Sequence, residues 1–112
     1  TDIIPIIESQ KGLDNLQEIC NFDERIKIIS FGSHDLAKSI NLKVSDSENE
    51  ILGFRKLIAK FSKNSIDTSY LNFKDIDGFK RSCKIVKDLG FGGKACIHPN
   101  QIEISNEIFN EK

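Results

Sequence analysis

The chain has 112 residues, of which 38% are hydrophobic and 29% charged, as in an ordinary globular domain. Its 16 basic and 17 acidic residues are interleaved, which argues against the basic surface of a nucleic-acid-binding protein. No apolar run approaches the roughly 20 residues needed to cross a membrane, and no signal peptide is visible. Three cysteines without CxxC spacing favour free thiols in the cytoplasm. Because Thr1 leads directly into an apolar run, we expect a processed or truncated chain.

Four apolar segments with strand character alternate with segments of helical periodicity. Strands are predicted at residues 3–8, 26–31, 66–70 and 94–97. Helices are predicted at 11–20, around 36–40, at 48–63, at 75–89, and after a cap at Asn100. Pro5 cannot donate a ladder hydrogen bond, so it is expected on an edge strand or at the start of a strand. Gly90 is expected to end the helix that precedes it.

A strand followed by a helix, four times in succession, predicts parallel strands joined by right-handed crossovers. A complete eight-unit barrel takes roughly 250 residues, so four units in this length fit half a barrel. A small open sheet with helices on both faces is the competing architecture. Periodicity by itself does not separate the two.

Carboxylates follow two of the predicted strands, at the edge where parallel α/β folds bind ligands. Glu8 closes the first strand, and Asp35 lies just beyond the second. Adjacent strands are about 4.8 Å apart, so the two side chains could share a divalent ion. Oxygen ligands with room for water suit magnesium better than zinc. The alternatives are that Glu8 pairs with Lys11 and that Asp35 or Ser33 caps the following helix.

The loop at 32–35 is suited to a carboxylate-bearing substrate. Gly32 permits close backbone approach, and the helix that follows points its N–H groups at the loop. His34 is either an acid or base or a bystander, and His98 is expected to be structural, its ring bonded to a neighbouring loop. Residues 92–94 precede a strand rather than follow one, so a phosphate-binding loop is not expected there.

Three blocks of the sequence resemble the citrate lyase β-subunit group of the HpcH/HpaI aldolase/citrate lyase superfamily. IIPIIES at 3–9 resembles the family's strand that ends in a metal-binding glutamate. ISFGSHDL at 29–36 resembles its "fGxxDL" segment, whose aspartate is the second ligand. LGFGGKACIHPNQ at 89–101 resembles its long "lGfxGKxxIHPxQ" signature. The order and spacing of the blocks agree with the family over essentially the whole chain.

The resemblance implies an α/β fold of the TIM (β/α)8 barrel type, with residues 1–112 as the C-terminal half of the domain. It implies Glu8 and Asp35 as magnesium ligands, and Gly32, Ser33 and Asp35 as the binding site for the carboxylate of a 2-oxo acid such as oxaloacetate. The implied activity is that of a carbon–carbon lyase of the citryl-CoA, malyl-CoA or oxo-acid aldolase type, in which magnesium stabilises the enolate or alkoxide as a Lewis acid.

The family's substrate-binding arginine comes from the first half of the barrel, so this chain by itself is expected to be inactive. Arg55 is expected at a surface or packing position, and the charged stretch 46–50 at a solvated helix start. A non-catalytic acyl-CoA-binding or assembly subunit is the alternative function. Unpaired sheet edges predict a homo-oligomer, with other lyase subunits as further candidate partners.

Overall fold

The four strands form one parallel sheet in the order β1-β2-β3-β4. A computed structural model describes residues 2–110. Each strand has two residues in the ladder: β1 (Ile6–Ile7), β2 (Ser30–Phe31), β3 (Ile66–Asp67) and β4 (Gly93–Lys94). The strands are neighbours in space in the same order as in the sequence, as expected of consecutive βα units. Pro5 directly precedes β1, in agreement with the predicted position at the start of a strand.

Helices follow each strand, and the loop after α3 leads through a 3-10 turn (Asn49–Ile51) into α4. The helices are α1 (Gln10–Asp14), α2 (Leu16–Asn21), α3 (Ser33–Ser39), α4 (Leu52–Phe61), α5 (Ile76–Leu89) and α6 (Pro99–Asn110). Over residues 2–110, no helix is both long and apolar enough to span a bilayer. The predicted termini of α5 are confirmed: Asp75 caps its start, and Gly90 follows its end with φ 105°.

Two helix predictions need local corrections. The segment expected to be helical at 11–20 is helical except at Asn15, where φ −108° and ψ 19° leave the helical region and divide it into α1 and α2. The last helix begins at Pro99, a residue whose fixed φ suits a first helical position. Asn100 therefore lies inside the first turn, and its side chain donates instead to the carbonyl of Phe73.

The sheet has one covered face and one open face. In β1, Ile7 is 2% exposed whereas the adjacent Ile6 is 62% exposed. The same alternation crosses the sheet: the row containing Ile7 is buried, and the row containing Ile6 is not. The buried row is Ile7, Phe31, Asp67 and Lys94; the other is Ile6, Ser30, Ile66 and Gly93. In a closed barrel the open face is the interior, which is filled by side chains from other strands.

Four charged side chains are buried together between β3, β4 and helices α4 and α5. Arg55 donates through Nε and Nη2 to the two oxygens of Asp67, at 2.9 and 2.8 Å, and through Nη2 to Glu48 Oε1 at 3.1 Å. Lys94 Nζ donates to Asp67 Oδ2 and to the Thr68 carbonyl. Two positive charges thus meet two negative charges, which is the condition for burying them.

Of the two positions predicted for Arg55, surface or packing, the packing position is confirmed, since Arg55 is 1% exposed. The prediction of a solvated stretch at 46–50 is wrong for Glu48, which is 5% exposed. Burial by itself would lower the pKa of Arg55, but the charges and hydrogen bonds of Asp67 and Glu48 outweigh it and raise that pKa. Arg55 is therefore fully charged and serves as the centre of the cluster.

We expect Lys94→Met to destabilise the fold strongly. Removing Lys94 leaves a net negative charge in the buried cluster, and breaking a buried pair in this way costs about 3–5 kcal/mol. Urea unfolding of the intact polypeptide measures the effect. The matched control is Lys84→Met at an exposed position of α5, expected within about 0.5 kcal/mol of the wild type. Equal stability of the two variants would contradict the structural role of the cluster.

Candidate metal and substrate site

Glu8 lies at the carboxyl end of β1 on the open face of the sheet. It follows Ile7, so strand alternation places its side chain on the same side as Ile6. The residue is exposed, and in the part of the chain from 2 to 110 its carboxylate makes no hydrogen bond or ion pair. The alternative pairing with Lys11 is thus not formed.

Gly32 lies against Glu8 at the end of the neighbouring strand. Its N–H donates to the Ile7 carbonyl at 2.8 Å, which extends the β1–β2 pairing by one step. A Cβ atom at Gly32 would lie 3.0 Å from Glu8 Cβ and 3.5 Å from Glu8 Oε2. A side chain at Gly32 would therefore crowd Glu8, so the residue that needs the space is Glu8. The predicted approach of a substrate carboxylate to this backbone stays a prediction.

Asp35 lies in the first turn of α3, three residues beyond Gly32. The N-cap is Gly32 and no side chain caps the helix, so neither Asp35 nor Ser33 fulfils the capping alternative. Asp35 is exposed, and within the described residues its carboxylate has no hydrogen-bond or ion-pair partner. Ser33 is buried, and its Oγ has no hydrogen-bond partner there either.

The two carboxylates have the properties of ligands for a hard cation. Both are exposed and without partners, and both follow strands that pair directly in the sheet. Across residues 2–110 no group of three or more His, Cys, Asp or Glu side chains converges on one point. Glu8 and Asp35 would thus supply two oxygen ligands and leave the other positions of a magnesium ion to water and substrate, which is how proteins commonly hold this ion.

The two histidines occupy different surroundings. His34 lies in the first turn of α3, half-buried, with Nε2 2.9 Å from the Ser69 carbonyl. His98 stacks on Phe73, with ring centroids 4.6 Å apart and planes 3° from parallel, and its Nδ1 accepts from the Asn100 N–H. The contact predicted between the His98 ring and a neighbouring loop takes the form of stacking on Phe73, whereas its hydrogen bond is local. A purely structural role for His98 stays a prediction.

Sequence reasoning missed a buried link between the loops that follow β3 and β4. Gln101 is fully buried; its Oε1 accepts from the Ile97 N–H at 2.9 Å, and its Nε2 donates to the Tyr70 carbonyl at 3.0 Å. Tyr70 in turn donates its hydroxyl to Asp75, and burial together with this bond raises the pKa of Tyr70. The available signal was the position of Gln101 at the end of the block 89–101, which marked the residue as part of the family pattern but not its partners.

Comparisons with known proteins show the family to which the chain belongs. Residues 1–99 match the family model described as HpcH/HpaI aldolase/citrate lyase. The chain belongs to this family. The match includes the positions of Glu8, Gly32 and Asp35, and most of the long block at 89–101.

Curated relatives align with nearly the whole chain. The mitochondrial citramalyl-CoA lyase of Rattus norvegicus is 33% identical over 122 residues, covering 96% of this chain and 36% of the relative. A (3S)-malyl-CoA thioesterase of Cereibacter sphaeroides is 34% identical over 119 residues, covering 97% of this chain and 41% of the relative. The chain thus spans little more than a third of the length of these relatives.

Solved structures confirm the predicted fold class. RipC from Yersinia pestis superposes with a TM-score of 0.90 at 26% identity, over 100% of this chain and 53% of that one. The citrate lyase beta subunit of M. tuberculosis, in complex with oxaloacetate and magnesium, superposes with a TM-score of 0.82 at 20% identity. The superposition covers 98% of this chain and 53% of that one. The chain is therefore an α/β unit of about half a TIM-type barrel, and the open-sheet alternative is rejected.

Gly32→Ala is expected to destabilise the protein by about 1–3 kcal/mol, the usual result of forcing extra volume into a packed position. The added Cβ would crowd the Cβ of Glu8 and a methyl group of Ile6. Gly53→Ala is the control, since a Cβ there meets nothing within 4 Å; it should stabilise α4 by about 0.5–1 kcal/mol. The urea unfolding midpoints of the two variants measure these changes in stability. A Gly32→Ala variant as stable as the wild type would show that Glu8 does not need this space.

Proposed function

We propose that the protein is a magnesium-dependent carbon–carbon lyase acting on a 2-oxo acid or its hydroxyacyl-CoA precursor, and that this chain is the C-terminal half of its barrel. The observation that supports this proposal is the pair of partnerless carboxylates, Glu8 and Asp35, which follow adjacent parallel strands in a chain of the aldolase and citrate lyase family.

Glu8 and Asp35 would hold the ion through carboxylate oxygens, and the steric freedom at Gly32 lets Glu8 approach the backbone of the second strand. When bound, magnesium supplies a Lewis acid for the negative charge that develops on the substrate oxygen as the carbon–carbon bond breaks. Glu8 and Asp35 act as ligands in this scheme rather than as bases.

The substrate carboxylate would bind at the start of α3. The N–H groups in the first turn of a helix lack intrahelical partners, which favours an anion there. Ser33 and Asp35 lie in that turn, whereas the Gly32 N–H already donates to Ile7. Gly32 therefore contributes space, and the backbone of Ser33 and Asp35 contributes donors.

Relatives indicate the substrate class. Two of them carry the names citramalyl-CoA lyase and (3S)-malyl-CoA thioesterase, and the M. tuberculosis structure holds oxaloacetate and magnesium. We therefore propose a 2-oxo acid and an acyl-CoA thioester as ligands of the whole protein, with the substrate-binding arginine outside this half of the barrel. The three free cysteines favour a reducing compartment, for which we propose the cytoplasm.

Magnesium titration of the intact polypeptide by calorimetry tests the metal site. Glu8→Gln and Asp35→Asn should each weaken magnesium binding by about 100-fold or more. Losing an outer-shell partner costs about 10–100-fold in metal affinity, and losing a direct ligand should cost more. Oxaloacetate should tighten magnesium binding in the wild type and not in either variant. Both variants should also lose lyase activity.

The controls for this titration are Glu103→Gln and Asp88→Asn, which make the same chemical changes at exposed positions of α6 and α5. Wild-type affinity in Glu8→Gln or Asp35→Asn would refute the metal site. Magnesium binding without cleavage of any acyl-CoA substrate would instead favour the non-catalytic subunit.

We also expect the isolated 112-residue chain to self-associate. Within the described sheet β1 and β4 each have a strand on one side only, and Ile4 and Ile6 are exposed on the open face or its edge. Unpaired strand edges and apolar surface both favour association. Light scattering at about 0.1 mM, a concentration at which edge pairing of this kind is effective, should give a mass above that of one chain. A stable monomer would contradict this expectation.

A further inference from the structure

His34 joins the first turn of α3 to the loop that follows β3. Its Nε2 lies 2.9 Å from the carbonyl oxygen of Ser69, a residue 35 positions away in the sequence. A carbonyl oxygen can only accept, so Nε2 carries the hydrogen in this bond. The Ser69 hydroxyl lies 3.3 Å from the same nitrogen and can take a share of the hydrogen. The ring therefore donates through Nε2.

The acceptor of this bond belongs to a segment that is held firmly on both sides. Before Ser69, the Thr68 carbonyl accepts from the buried Lys94 ammonium. After Ser69, the Tyr70 carbonyl accepts from the buried Gln101 amide. Ser69 therefore offers a carbonyl whose position is set by the buried charge cluster and by the link between the β3 and β4 loops.

Apolar packing holds α3 through the buried Leu36, and the Gly32 N–H donates to the Ile7 carbonyl, but the first turn of α3 has few polar side-chain contacts. It has no side-chain cap, and in the described part of the chain the Ser33 hydroxyl and the Asp35 carboxylate have no partners. Of the side chains at 33–35, His34 is the one that forms a hydrogen bond with the described residues. Asp35, its neighbour in the sequence, lies in the same turn.

We propose that His34 is a positioning residue for Asp35. Its bond to the Ser69 carbonyl fixes the first turn of α3 against the loop that follows β3 and so sets the place from which Asp35 reaches the metal ion. This inference rests on the proposed function, since it assumes that Asp35 is a ligand. It assigns His34 neither proton transfer nor direct contact with the metal.

The test compares magnesium affinity by calorimetry in variants of the intact polypeptide. His34→Leu removes the donor and should weaken binding by about 10-fold, the lower end of the cost of losing an outer-shell partner. His34→Gln carries an amide nitrogen close to the position of Nε2 and should stay within about 2-fold of the wild type, since the bond to Ser69 is restored. His34→Asn is polar but too short to reach, and should resemble His34→Leu.

His98→Leu is the matched control, because His98 stacks on Phe73 and makes no contact with α3 among the described interactions. Its magnesium affinity should equal that of the wild type. Melting temperatures of all variants separate loss of folding from loss of positioning. If His34→Leu does not fold, the comparison of His34→Asn with His34→Gln gives the same answer.

The outcomes distinguish this inference from the proposed function. Wild-type affinity in His34→Leu or His34→Asn, with Asp35→Asn still impaired, would overturn the positioning role and leave the metal site intact. Equal weakening in His34→Gln and His34→Asn, both folded, would also overturn it, because the donor would not be the cause. Wild-type affinity in Asp35→Asn would refute the metal site, and the inference would fall with it.

Discussion

Parallel strand pairing is the constraint on which the other features of this chain depend. Because β1 to β4 run in the same direction, their carboxyl ends lie at one edge of the sheet. The direct pairing of β1 with β2 brings Glu8 against Gly32, and the short step from Gly32 into α3 brings Asp35 to the same edge. Antiparallel strands would have placed these residues at opposite ends. The sheet topology therefore places the residues of the candidate site at one edge, and their side-chain chemistry acts within that arrangement.

The buried charge cluster fixes the other half of the sheet. Asp67 accepts hydrogen bonds from Arg55 on α4 and from Lys94 on β4, so one carboxylate ties a helix to two strands. Such a cluster contributes less to net stability than apolar packing of equal volume, but its directional bonds define the geometry. Here they set the start of the loop that follows β3, where the Ser69 carbonyl meets His34.

The long block at 89–101, which is the most distinctive part of the family resemblance, has a structural role. Gly92 lies so close to Asn64 that a Cβ would be 2.8 Å from its carbonyl oxygen. Lys94 is buried in the charge cluster, and Gln101 joins two loops. The residues of this block therefore stabilise the fold, whereas the two shorter blocks contain the candidate ligands.

Local signals were sufficient for much of the fold. Apolar periodicity predicted four strands and the helices after them, and Asp75 and Gly90 marked the ends of α5 because caps act within a few residues. The break at Asn15 and the helix start at Pro99 were missed, since several nearby residues could serve equally well at such boundaries. The burial of Glu48 and the ion pairs of Arg55 were missed because Glu48 and Asp67 lie seven and twelve residues from Arg55 and meet it only in the folded chain.

The sequence by itself determined the order of strands and helices, the family, and the candidates Glu8, Asp35 and Gly32, because these depend on local patterns and on short blocks of residues. Tertiary structure alone decided which charges are buried together, that both carboxylates remain without partners among the described residues, and that His34 bonds to Ser69. These features depend on contacts between residues far apart in the chain, and only the folded sheet fixes those distances.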